Sequence, residues 1–248
     1  MQAMTVLADD ECLMHRKARP PDPEADAQFE IAATAFRQGD DATAFRAWKR
    51  LAERGDCLAQ FNVGTAYLAG RAVSRDVPTA IEWFRKAALQ GHSLAQFNLA
   101  EAYRTGEAGP SKDPAQMVAW YTQAAAQGLP IAQTSLAIVY EDGVDVPRNE
   151  ARAADLYRKA AVQGDAQAHF NLGVQYAFGR GVPFDKVLAY FNVRIAAEQG
   201  FPKATEAVRI VAAKMSTAQI AEADHLVATW QLGQPLPETS STGRRATP

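Results

Sequence analysis

The stretch Arg85–Tyr103, "RKAALQGHSLAQFNLAEAY", returns almost letter for letter as "RKAAVQGDAQAHFNLGVQY" over Arg158–Tyr176. Its glycine serves as a ruler. Counterparts stand at Gly55, Gly91, Gly128, Gly164 and Gly200, at intervals of 36, 37, 36 and 36 residues. That is the period of a stacked helical hairpin. Four residues after each glycine comes an alanine (Ala59, Ala95, Ala132, Ala168, Ala204), and four further on an apolar residue (Val63, Leu99, Leu136, Leu172, Val208). A tyrosine follows in the four full copies, at Tyr67, Tyr103, Tyr140 and Tyr176. Positions i, i+4 and i+8 share one helical face, so each copy opens with an amphipathic helix.

Three residues past each tyrosine lies another glycine (Gly70, Gly106, Gly143, Gly179), suited to the left-handed turn that ends a helix. After a short loop, Asp76, Asp113, Asn149 and Asp185 are placed to cap a second helix. That helix carries paired alanines (Ala87–Ala88, Ala124–Ala125, Ala160–Ala161), which permit close approach, and aromatics such as Trp83, Phe84, Trp120, Tyr121 and Tyr157. No single hairpin can bury this surface, so the copies must stack. The segment 22–54 fits as a capping hairpin starting at Asp22-Pro23. Residues 55–199 hold the four full repeats. Residues 200–231 supply capping helices, the last beginning with the capping box Ser216/Gln219. The fold expected is an all-α solenoid of about six antiparallel helix pairs over 22–231. The leader 1–21 and the Pro/Ser/Thr-rich tail 232–248 are expected to be disordered.

Of 248 residues 48% are apolar, enough for a sizeable core. The formal net charge of −2, with acids and bases interspersed, gives no field for holding phosphate backbones or anionic lipid, so neither nucleic acid nor a membrane surface is an expected partner. Asp9, Asp10 and Glu11 interrupt the only apolar run near the start, and nothing later reaches spanning length. Cytoplasmic localisation is expected, with a periplasmic one if the native start carries a signal peptide. Only Cys12 and Cys57 occur, and no disulfide framework is legible, which also favours a reducing compartment.

The pattern in "AQFNVGTAYLAGRAVSRDVPTAIEWFRKAALQG" (59–91) and "AHFNLGVQYAFGRGVPFD" (168–185) resembles the Sel-one-like repeat (SLR) family, relatives of the tetratricopeptide repeat. The resemblance covers roughly 24–231 and implies a right-handed superhelix that binds other proteins, often in signalling. The fourth copy departs in its second helix, with Asn192 and Val193 where the family has Trp and Tyr. Cysteine-rich members described as β-lactamase-like or penicillin-binding carry a disulfide in each repeat. This chain lacks those cysteines, so an exported hydrolase or peptidoglycan-binding protein is the alternative rather than the first reading.

No nucleophile elbow, HExxH, P-loop or dinucleotide-binding pattern is present. The four histidines, His15, His92, His169 and His225, fall in unrelated contexts, and neither a metal nor a cofactor is expected. The candidate site is a surface instead. In tetratricopeptide-like arrays the first helices line the concave side, where Phe61, Asn62, Thr65, then Phe97, Asn98, Glu101, Arg104, then Thr134, Ser135, Ile138, Glu141, then Phe170, Asn171 and Val174 would form a row. Rings offer apolar pockets, and amides donate to and accept from a peptide backbone. The recurring Phe-Asn pairs equally suit packing between successive first helices. Specificity is therefore placed on the positions that vary, Glu101, Arg104, Thr134, Ser135, Ile138 and Glu141. On this reading Glu101→Ala with Arg104→Ala spares stability and weakens partner capture, whereas Tyr140→Ala costs about 3–5 kcal/mol as a buried aromatic.

Overall fold

The computed structural model describes residues 22–144 and 146–237. Each alanine–leucine–tyrosine stripe closes onto a second helix, because an amphipathic helix alone leaves its apolar face in water. In chain order the described residues form α1 (Pro23–Arg37), α2 (Asp41–Glu53), α3 (Cys57–Ala69), α4 (Val77–Leu89), α5 (Ser93–Thr105) and α6 (Pro114–Ala126). Then come α7 (Pro130–Asp142), α8 (Glu150–Val162), α9 (Ala166–Phe178), α10 (Lys186–Glu198), α11 (Ala204–Ala212) and α12 (Thr217–Thr229), with no strand among them. The helices gather into two compact units that divide between Leu129 and Pro130. α1/α2, α3/α4 and α5/α6 pair in the first unit, α7/α8 and α9/α10 in the second.

The expected caps are present. The side chains of Asp22, Asp76, Asp113, Asn149 and Asp185 accept from the backbone N–H groups of Ala25, Thr79, Gln116, Arg152 and Leu188 at 3.0–3.1 Å. First helices are capped too, by the residue after the ruler glycine: Ala59 N–H donates to Asp56 at 2.9 Å, Ala95 N–H to His92 Nδ1 at 3.4 Å and Ala168 N–H to Asp165 at 2.7 Å. The ruler glycines turn the chain from one helix to the next in the left-handed region, as at Gly128 with φ +86°. Gly143 has a second constraint: a Cβ there would stand 2.5 Å from the Cβ of Arg148.

Glutamines that the sequence repeats in plain view tie consecutive helices together. In the first unit Gln60 and Gln96 Nε2 donate to the carbonyls of Ala52 and Ala88, both at 3.2 Å, while Gln90 and Gln127 donate to Gln60 and Gln96 Oε1, both at 2.8 Å. In the second, Gln163 donates to Gln133 Oε1 at 3.0 Å. Each bond contributes about 1 kcal/mol net, and losing one partner inside the core costs more. His169 takes the glutamine's place in the fourth copy. Its Nδ1 lies 3.0 Å from Asn192 Oδ1, whose Nδ2 donates to Leu188 O at 2.8 Å. Asn192 thus fills the family's tryptophan position as a polar partner, and the missing ring is replaced from afar: Trp230 meets His169 and Phe191 edge-on at 5.3 and 6.1 Å.

Three expectations need correction. α11 and α12 pack against α10 rather than chiefly against each other, so the last hairpin is open. With Ala212 in place of the tyrosine and no glycine stop, α11 turns Val208, Val211 and Ala212 onto the cluster of Val187, Tyr190 and Ala223 instead. Residues 232–237 fall in the stretch whose composition predicts a disordered tail, yet Leu236 is only 8% exposed and joins the core around Tyr157, Leu172 and Phe191. Leu236, set between Pro235 and Pro237, gives this piece apolar surface to bury that its composition conceals, while Leu232 stays 66% exposed. Finally, Cys57 is buried and disulfide-bonded, so the cysteine argument for a reducing compartment falls; Cys12, the other cysteine of the sequence, lies outside the described residues, as do the leader and residues 238–248.

Candidate interaction surface

In the first, third and fourth copies the six-past-glycine position of the first helix meets the residue that follows the next ruler glycine. In the first unit Phe61 stacks on His92, ring centroids 4.4 Å apart, and also meets Phe84; Phe97 meets Tyr121 at 5.8 Å. In the second unit Phe170 packs on Phe201 at 5.0 Å, and where phenylalanine gives way to Thr134, the hydroxyl donates to Asp165 Oδ1 at 3.1 Å. At these three corners a ring meets a ring or a hydroxyl meets a carboxylate, while in the second copy Leu129 follows the glycine. Phe61 and Phe170 therefore pack across the joint to the next copy and Phe97 packs within its own hairpin, so none of the three is an open pocket. Thr134 and Asn62, 3% and 5% exposed, are likewise too deep to meet a partner.

The variable acids also have internal work. Tyr121 and Tyr157 are fully buried and stand where Phe84 stands in the first repeat, so each brings a hydroxyl that must be satisfied. Tyr121 donates to Glu101 Oε1 and Tyr157 to Glu141 Oε2, the latter at 2.7 Å. Burial first, and then the carboxylate that holds the proton, raise both phenols above their ordinary pKa. Arg104 Nη2 pairs with Glu101 at 2.6 Å, and Gln175 Nε2 lies 3.4 Å from Glu141. Glu101 is a structural acceptor, so the expectation that Glu101→Ala with Arg104→Ala spares stability does not hold. Tyr140 is only half-buried, with the Arg152 guanidinium 5.0 Å over its ring, so its removal costs less than the full-burial figure.

Two strips of the row still reach solvent. On the first unit these are Thr65 and Arg104, exposed, with Asn98 half-buried; Leu68 extends them at 37% exposure. On the second, Ser135, Ile138, Asn171 and Val174 are half-buried, and Phe178, one turn beyond Val174, is 65% exposed with Arg180 5.0 Å over its ring. Sequence reasoning passed over Phe178, although Phe170, Val174 and Phe178 follow the i, i+4, i+8 signal. The strips are sparsely charged: α3 and α9 contain no Asp, Glu, Lys or Arg, whereas α8 contains five. Among the described residues no helix is long and apolar enough to cross a membrane, and no group of three or more His, Cys, Asp or Glu side chains is placed to hold a metal ion.

Stacked helix pairs with recurring internal glutamine contacts and outward strips that differ from copy to copy define a helical-repeat scaffold. The Sel1 repeat profile matches residues 57–92, 93–129, 130–165 and 166–201, and the chain belongs to that family, whose members are generally protein–protein interaction scaffolds. Among solved structures it is similar to a Sel1 repeat protein from Oxalobacter formigenes, at 27% identity over 80% of this chain and 81% of that one, with a TM-score of 0.67. A Sel1 repeat protein from Klebsiella pneumoniae subsp. pneumoniae matches at 21% identity over 82% and 99% of the two chains, with a TM-score of 0.49. No curated protein matches the chain.

Proposed function

We propose that the chain is a non-catalytic adaptor in a signalling or regulatory assembly, and that it takes a partner's peptide or helix along the outward strips of its first helices. The observation that carries this reading is the division of labour within those helices. Inward positions are spent on the glutamine ladder and on contacts between copies, while Thr65, Leu68, Ile138, Val174 and Phe178 face outward with no charge of their own. An apolar ridge on a partner loses less water-facing polarity there than over a charged second helix such as α8.

Thr65→Arg and Val174→Arg test it, because neither side chain belongs to the ladder. Both variants should keep the parent's circular dichroism and melting temperature. Partners cross-linked to the parent in cells should be recovered at a tenth of the parent level or less. Equal recovery by both variants would remove the strips as contact surface.

A further inference from the structure

The capping hairpin α1/α2 is the first unit among the described residues, and α2 packs against α3, the first helix of the next pair. A terminal unit of a stacked array has one stacking interface where an inner unit has two. The grip of α1 is slight: its buried side chains are Ala32 and Ala35, whereas α2 buries Ala44, Ala47, Trp48, Leu51 and Ala52. The ion pairs that brace the hairpin, Arg54–Asp22 at 2.6 Å and Arg71–Asp41 at 2.7 Å, are substantially exposed and contribute little.

Cys57 stands where this grip is weakest. It is the first residue of α3, 6% exposed, and with Leu58 it forms a small buried cluster on which Phe29 of α1 packs. Its sulfur is engaged in a disulfide, and no cysteine is free among the described residues. The sequence holds two cysteines, so one residue remains to close the bond: Cys12, ahead of α1. A bond between those two positions encloses α1 and α2 in one covalent ring with the start of the first full repeat.

We infer that a Cys12–Cys57 disulfide clamps the capping hairpin onto the first full repeat, and that the chain matures in an oxidising compartment where this clamp stays closed. Closing it turns two thiols into one disulfide: a disulfide-class oxidant takes up both electrons and both protons and leaves as a pair of thiols. The ring limits how far α1 and α2 can part from α3, which raises the free energy of the local opening to which a terminal unit is prone. Reduction reverses the exchange and leaves the hairpin held by its alanine contacts and exposed ion pairs alone. The clamp does not depend on the outward strips.

The full chain, recovered from its own cells with N-ethylmaleimide present at lysis, tests the link. Trypsin should release Met1–Arg16 and Gly55–Arg71 as one species that separates on reduction. Two maleimide-blocked cysteines, or a covalent dimer on a non-reducing gel, would overturn it. Hydrogen exchange read by mass spectrometry tests the clamp, with Cys12→Ser as the variant because it leaves the buried Cys57 side chain in place. Amides of α1 and α2 should exchange about tenfold faster in this variant, and in the reduced parent, than in the oxidised parent, while those of α9 and α10 stay unchanged. Equal exchange of α1 and α2 in all three, or a change spread evenly over the chain, would refute a clamp on the capping hairpin.

Discussion

Removing the Glu141 carboxylate should destabilise the second unit through a residue that looks like surface. Tyr157 is fully buried and its hydroxyl donates to Glu141 Oε2 at 2.7 Å, while Glu141 itself is half-buried. Glu141→Ala leaves that hydroxyl in the core without its acceptor. An unsatisfied buried polar group costs about 1–3 kcal/mol, and the partial exposure of the carboxylate places this case at about 1–2 kcal/mol. Tyr157→Phe removes the donor and the need for an acceptor together, at about 1–2 kcal/mol for the lost charge-assisted bond. Once the hydroxyl is gone, Glu141 keeps only the long 3.4 Å contact from Gln175 Nε2. The double variant should therefore cost little more than Tyr157→Phe alone, a coupling of about 1 kcal/mol. Urea denaturation followed by circular dichroism, run on all four proteins, measures it. Costs that simply add would mean that the two groups do not interact, and the assignment of Glu141 as a structural acceptor would fall. Glu101 and Tyr121 should show coupling of the same sign in the first unit.

His169 makes stability depend on acidity. Burial lowers its pKa below the ordinary 6.5, outweighing the opposing pull of Asn192 and Asp165. The unfolded chain then binds a proton that the folded chain refuses as pH falls through 6.5. The contribution is complete above that value and is lost below it, at no more than about 1.4 kcal/mol per pH unit. His169→Gln, which restores the residue found at Gln60, Gln96 and Gln133, should flatten melting temperature against pH between neutrality and mild acid; an unchanged slope would assign the acid sensitivity elsewhere. Among the glycines, Gly128→Ala carries only the left-handed penalty of about 1–2 kcal/mol. Gly143→Ala adds a collision with Arg148 and should melt distinctly lower; equal melting temperatures would refute the close contact.

The repeat period, the helix boundaries, the caps at Asp76, Asp113, Asn149 and Asp185 and the turns at the ruler glycines were all legible in the sequence. Each depends on residues a few positions apart, where backbone geometry and one side chain decide the outcome. Side-chain partnerships between helices were not legible from composition or spacing. Tyr157 finds Glu141 16 positions back, Thr134 finds Asp165 31 positions ahead, and Trp230 reaches His169 from the far end of the chain. Which variable residue turns inward to satisfy a buried hydroxyl, and which stays free for a partner, is settled only when the helices stack. An unpaired buried group is then costly, and the nearest competent side chain is drawn in. The sequence by itself determined an array of helical hairpins. Tertiary packing divided its irregular residues between structure, at Glu101, Thr134 and Glu141, and surface, at Thr65, Ile138 and Val174.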